Sequence, residues 1–271
     1  MDSKPLSFDH LIAELKNNNK VLEKGKYSFK ELTLKQQRKI LNGSFDAVEI
    51  PAKLAIIYGE YISESVQVKD DMVDAARVIT LETKPYFINI LRTLSLGSAY
   101  YENGIGYELY EVTADDLIPK AKPHTVIANK FKINLRIPTI NDDNRFNNLL
   151  INALSPYKKK KSLNDINIGS VSDLYQMYEL IKYVESFEFD GKVYPFNSYT
   201  IQDRNKFLNN LAQVTINEIK DYIKEHVKDN EERALTAIGE TGEKIVADIN
   251  TIFFSTTTKK DESEETEEDD E

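Results

Sequence analysis

TLETKPYFINILRTLSLG, Thr80 to Gly97, is the stretch on which the reading of this chain turns. Phe87, Ile88, Ile90, Leu91 and Leu94 recur at helical spacing, with Pro85 in the first turn, where its missing amide hydrogen has no helical partner to lose. Burying five such side chains is worth roughly 8–15 kcal/mol before entropy, at about 1.5–3 kcal/mol each. Gly97 stands where a helix would end in a left-handed conformation. Arg92 lies one turn earlier, placed to pair with an acid or a carbonyl and fix the helix against a neighbour. Arg92, Ser95 and Gly97 are therefore candidates for an exacting structural or interface role.

Towards the N-terminus the pattern is also helical. Phe8, Leu11, Ile12 and Leu15 lie on one face behind Ser7. Tyr27 and Phe29 alternate with polar neighbours, as in a brief strand. Thr33 and Gln36 have capping-box spacing, and the helix they open runs to about Asn42 and stops at Gly43, with Leu34, Ile40 and Leu41 on its apolar face. Leu54, Ile57, Tyr58, Tyr61 and Ile62 predict a helix after Pro51. Asp70 and Asp71 would start another, carrying Met72, Val73, Ala76 and Ile79.

Towards the C-terminus the period changes. Residues 107–113 (YELYEVT) and 125–137 (TVIANKFKINLRI) alternate β-branched and aromatic residues with polar ones, which predicts a small sheet or hairpin stopped by Pro138. Asp142 or Asp143 would begin a helix with Phe146, Leu149, Leu150 and Leu154, broken at Ser155-Pro156. The lysine-rich stretch 158–169 reads as a flexible connection. Ser170 would cap a helix whose face runs through Leu174, Met177, Tyr178, Ile181 and Val184 to Glu185. Thr215 and Glu218 have capping-box spacing before Ile219, Tyr222 and Ile223. A last helix is expected over residues 231–254, weakened by Gly239 and Gly242.

The expected fold is thus mainly α with a small β-rich middle segment, an α+β chain. It divides into a helical part at 1–97, a β segment at 98–138, a helical part at 139–254 with a flexible connection at 155–170, and an acidic tail at 255–271. The tail is expected to be disordered, since it cannot bury enough apolar surface to offset the cost of ordering.

Composition narrows the function. The 271 residues include no cysteine. Disulfides, thiolate metal sites and cysteine nucleophiles are excluded, and a reducing cytosol is the expected setting. No run of eighteen apolar residues is present, so no membrane helix is expected. MDSKPLSFDH lacks the basic flank and apolar stretch of a signal peptide. The formal charge of -10 is concentrated at the end: removing the nine acids of residues 261–271 leaves about -1. A near-neutral body has no global basic excess for nucleic acid, so protein partners are expected.

Motifs of catalysis are weak. His10, His124 and His226 lack ligand spacing. Asp70-Asp71, Asp115-Asp116 and Asp142-Asp143 read as helix caps or turn residues rather than cation ligands. Gly104-Ile105-Gly106 lacks the third glycine of a dinucleotide fingerprint, and Gly239 to Lys244 lacks phosphate-loop spacing. Lys158 to Lys161 has too few aromatic neighbours for a nucleic-acid platform. No catalytic residue, metal or cofactor is expected. Fifteen tyrosines stand against no tryptophan. Tyr100, Tyr101, Tyr107 and Tyr110 lie close together and would form either a protein interface or the cover of their own hairpin.

Three blocks resemble the baseplate hub assembly proteins of T-even-type contractile-tailed phages. The first is KYSFKELTLKQQRKIL (26–41), similar to an extended aromatic segment followed by L-T-x-K and a helix. The second is residues 80–97, similar to an apolar helix ending in R-x-x-S-x-G. The third, 132–227, holds Ile137-Pro138-Thr139-Ile140, a helix from Asp173-Leu174-Tyr175 through Tyr183-Val184, and a closing pair of helices over 204–223. Together they cover about two thirds of the chain. Family members with cysteine pairs in the middle segment differ from this chain. The resemblance implies a non-enzymatic hub assembly factor or hub-associated subunit. Its partners would be other baseplate hub or tail proteins, with homo-oligomers compatible and no membrane or nucleic acid. Its place would be the host cytoplasm during virion assembly or the tail baseplate. Tyr175 and Tyr183 join the structural or interface candidates on that ground. The competing reading is an acidic-tailed adaptor or chaperone unrelated to phage tails.

Overall fold

The computed structural model describes residues 19–43, 49–69, 72–102, 104–158, 168–249 and 252–253. The N-terminal helix expected around Phe8 to Leu15, Asp70 and Asp71, the centre of the lysine-rich connection and the acidic tail lie outside the described residues.

Strands β1 (Val21–Lys24) and β2 (Tyr27–Lys30) form a hairpin, and β3 (Val66–Val68) completes an antiparallel sheet in the order β1-β2-β3. Helix α1 (Leu34–Gly43) opens with the capping box its sequence predicts. The Thr33 amide donates to Gln36 Oε1 at 2.8 Å, and the Gln36 amide donates to Thr33 Oγ1 at 3.4 Å. Helix α2 (Ile50–Ser65) runs straight into β3 and buries Leu54, Ile57, Tyr58, Tyr61 and Ile62. The short α3 (Ala75–Val78) is capped by Asp74, so Met72 and Val73 lie outside it and exposed.

Helix α4 (Lys84–Leu96) is the axis of the molecule: every residue from Lys84 to Arg92 is buried. A helix buried all round must satisfy its polar residues internally. Asn89 does so by donating to the carbonyls of Tyr110 at 3.0 Å and Ala234 at 2.6 Å.

The β content is larger and more dispersed than one middle hairpin. Eleven strands form three antiparallel sheets among the described residues. The second sheet takes β4 (Ala99–Glu102) and β5 (Ile105–Leu109) from the middle, with β10 (Thr236–Gly239) and β11 (Lys244–Val246) from near the end, in the order β11-β10-β5-β4. The third joins β6 (His124–Ala128) and β7 (Phe131–Leu135) to β8 (Val184–Phe189) and β9 (Lys192–Pro195), in the order β6-β7-β8-β9. The mainly helical expectation with one small β segment is therefore corrected. Short strands such as TAIG and VESFEF gain their stability from partners far away in sequence, which local periodicity does not register.

Four local expectations change with it. The helix expected over 231–254 is α9 (Asp229–Ala234) followed by the β10–β11 hairpin, whose turn places Gly242 at φ +88°. The face assigned to Val184 and Glu185 belongs to β8, because α6 (Ile168–Ile181) ends earlier. Ser170 and Thr215 lie inside α6 and α8 (Gln213–Ile223) rather than at their caps. Helix α5 (Ile140–Lys158) continues through Pro156. Helix α7 (Ile201–Asn209) precedes α8, and a π-helical turn, Lys224–Lys228, joins α8 to α9.

Two large cores result. One gathers α2, α4 and the first two sheets, and reaches Ile252 and Phe253. The other packs the third sheet against α8, with Phe196 and Leu208. At Gly59 helices α2 and α5 approach so closely that a Cβ would stand 2.6 Å from Asn144 and 2.9 Å from Ile140.

Candidate interaction sites

The candidates at the end of α4 form one fastening. Arg92 is fully buried, and its guanidinium donates to three carbonyls: Ile252 at 3.2 Å, Ala99 at 2.7 Å, and Gly97. Burial pulls its pKa below the ordinary guanidinium value. Gly97 caps the helix at φ +87°, ψ 173°, with its amide donating to Thr93 O at 2.9 Å. Ser95 Oγ accepts the Leu32 amide at 2.8 Å, tying the first sheet's exit to α4. The partners of Arg92 are carbonyls, and its donors are directed inward. These three residues hold the turn from helix to sheet.

The tyrosines divide by strand parity. Tyr100 and Tyr107 are cross-strand partners, both buried in the first core. Tyr101 is half-buried and covers Gly106, its partner across the ladder. Tyr110 is half-buried within a polar cluster, its hydroxyl donating to Asp116 at 3.0 Å and accepting from Arg233 at 3.1 Å. Asp116 also accepts from the Thr113 amide and hydroxyl, both at 2.8 Å. Burial works against its ionisation, but these bonds and Arg233 hold its pKa below the usual carboxylate value. Tyr183 is fully buried and donates to Glu179 at 3.2 Å; burial raises its phenol well above the ordinary value. Tyr175 is half-buried beside Glu179 and Lys182 in a cleft.

That cleft, of about 300 Å³, holds a group of charges that sequence spacing did not reveal. Asp143, in the first turn of α5, accepts from Lys84 of α4 at 3.2 Å and from Lys182, just beyond α6, at 2.9 Å. Lys182 also pairs with Glu179 at 2.6 Å, and Lys84 donates to Ala55 O at 3.2 Å. Burial alone would raise the Asp143 carboxyl, yet the two ammonium groups hold it at about 2. Burial works against charge on Lys182 as well, but Asp143 and Glu179 raise it well above its usual value. The carboxylate is committed to two cations, and the arrangement clamps three helical segments together. No local signal marks such a triad, since its members are 39 and 59 residues apart.

His124 and His226 come together around Tyr222, with ring centroids at 5.6 and 4.8 Å. Among the described residues no group of three or more His, Cys, Asp and Glu is placed to hold a metal ion, and no helix is long and apolar enough to cross a membrane.

The outer face of the second sheet follows from its register. Ala99, Glu108, Ile238 and Lys244 lie opposite one another, so Tyr101, Gly106 and Val246 share their side. Ile238 and Val246 are 43% and 53% exposed there. No family model, curated protein or solved structure matches the chain.

Proposed function

We propose that this chain is a non-enzymatic assembly factor or hub-associated structural subunit of a contractile phage tail baseplate, acting by binding other tail polypeptides. The reading rests on the order of the three sequence blocks. The observation that supports a binding role is the outer face of the β11-β10-β5-β4 sheet, where Tyr101, Ile238 and Val246 offer apolar area beside Glu108 and Lys244. A sheet face with a tyrosine, two aliphatic residues and a mixed-charge border suits a protein interface.

The test is a pull-down of the tagged full chain with each hub subunit of its phage, repeated with Ile238→Lys/Val246→Lys. The proposal expects capture of at least one hub subunit and a loss of about tenfold or more in affinity for the double variant. Removal of residues 261–271 should leave capture unchanged. Binding that vanishes with the tail would support the acidic-tailed adaptor instead.

A further inference from the structure

The two edges of the third sheet are built differently. Edge strand β9 carries Lys192 and Pro195, residues that discourage pairing with another strand. The opposite edge, β6, reads His-Thr-Val-Ile-Ala over 124–128, with no proline, no lysine and no bulge in its pairing to β7. Apart from the ladder to β7, its main chain makes no backbone hydrogen bond among the described residues. Ile127, at its centre, is 70% exposed.

Two contiguous grooves run along this edge and share Ile127, one of about 770 Å³ and one of about 540 Å³. Their far bank is α8 and the π-helical turn after it. Val214, Glu218, Asp221 and Glu225, at i, i+4, i+7 and i+11, form that flank, and all four are exposed. None of the three carboxylates makes an ion pair among the described residues. Lys120, at the mouth of the larger groove, is engaged by Asp115 at 2.6 Å, and Lys122 and His124 stand beside it. The other end is mainly apolar, with Phe131, Phe207 and Leu211 near Val214, and Asn129, Lys206 and Asn210 also line it.

We infer that β6 accepts an extended, basic segment of a partner polypeptide as a fifth strand of this sheet. The free main-chain groups supply the ladder, and alternate side chains of the incoming strand face the flank of α8. An apolar residue fits the end lined by Phe131, Phe207 and Val214. Lysine or arginine at the following alternate positions meets Glu218, Asp221 and Glu225. Charge complementarity along a groove selects the partner and speeds encounter. The inference rests on the reading of the chain as a binding protein, and its test uses no tail protein, so either can fail alone.

The probe is an acetylated, amidated peptide of about eight residues, with valine at both ends and lysine at alternate positions between them. Its counterpart has glutamate in place of lysine. Affinity for the full chain is read by fluorescence anisotropy, and the binding position by amide chemical shifts of residues 124–128. The lysine peptide should bind at least about tenfold more tightly than the glutamate peptide and shift those amides. Ile127→Lys should weaken it by about tenfold or more, and Glu218→Lys/Asp221→Lys/Glu225→Lys should reverse the preference between the peptides. All four positions are exposed, so melting temperatures should stay close to that of the unmodified chain. Absent binding, equal binding of both peptides, or shifts confined to other strands would overturn the inference. So would a dimer of the free chain that Ile127→Lys dissolves, because the edge would then belong to a second copy.

Discussion

The Oδ2 atom of Asp143 lies 3.2 Å from the Lys84 ammonium, joining the start of α5 to the start of α4 inside the protein. Lys182 holds the other carboxylate oxygen at 2.9 Å. Removing the acid leaves buried Lys84 with no carboxylate and Lys182 with Glu179 alone, which is far costlier than losing an exposed pair. Asp143→Ala should lower the unfolding free energy by about 3–5 kcal/mol, measured by urea denaturation. A loss under about 1 kcal/mol would mean that the two lysines reach solvent without cost.

The same carboxyl sets an acid limit. Its pKa in the folded protein is about 2, below the value of about 3.9 expected when unfolded. The unfolded state therefore takes up protons first as pH falls. The stabilisation is complete above about pH 4 and is lost as pH drops towards 2, on the order of 2 kcal/mol in all. Unfolding midpoints measured across this window should fall less steeply in Asp143→Asn than in the unmodified chain. Parallel slopes would remove Asp143 as a source of acid sensitivity.

Gly97 sits at φ +87°, ψ 173°, a conformation essentially confined to glycine, and nothing lies within 4 Å of where a Cβ would stand. The penalty for a side chain is thus conformational rather than steric. Gly97→Val should destabilise by about 1–3 kcal/mol in a thermal melt. A variant with unchanged stability would show that the turn from α4 to β4 tolerates another backbone path.

Arg92 serves three carbonyls from one planar group. Lysine has the charge but not the fork, so Arg92→Lys should cost about 2–4 kcal/mol, from hydrogen bonds to a charged donor worth about 1.5–3 kcal/mol each. Amide exchange should accelerate around residues 97–99. Unchanged exchange there would argue that the guanidinium is replaceable.

Much of the fold near α4 was legible in the sequence. The Thr33–Gln36 box, the apolar faces of α2 and α4, Pro85 and Gly97 are all local features, and local features obey local rules. The hairpin from Val126 to Leu135 showed itself through its alternation. What escaped was set by distant pairing. Thr236 to Gly239 become strand because Tyr107 to Leu109 lie beside them. Val184 leaves the helical pattern because β7 offers it a partner at Leu135. The sequence places Arg92 where it can fix its helix against a neighbour, but its carbonyl partner at Ile252 lies 160 residues away. The Lys84–Asp143–Lys182 triad left no trace in spacing, since it exists only once three helical segments have met.

The proposed role, binding other polypeptides of a contractile tail, is checked most directly by co-purifying the tagged full chain at physiological salt with the individual hub subunits of the phage proposed as its source. A stable complex with at least one of them is expected, weakened about tenfold or more by Ile238→Lys/Val246→Lys. A folded chain that captures none of the subunits would contradict it.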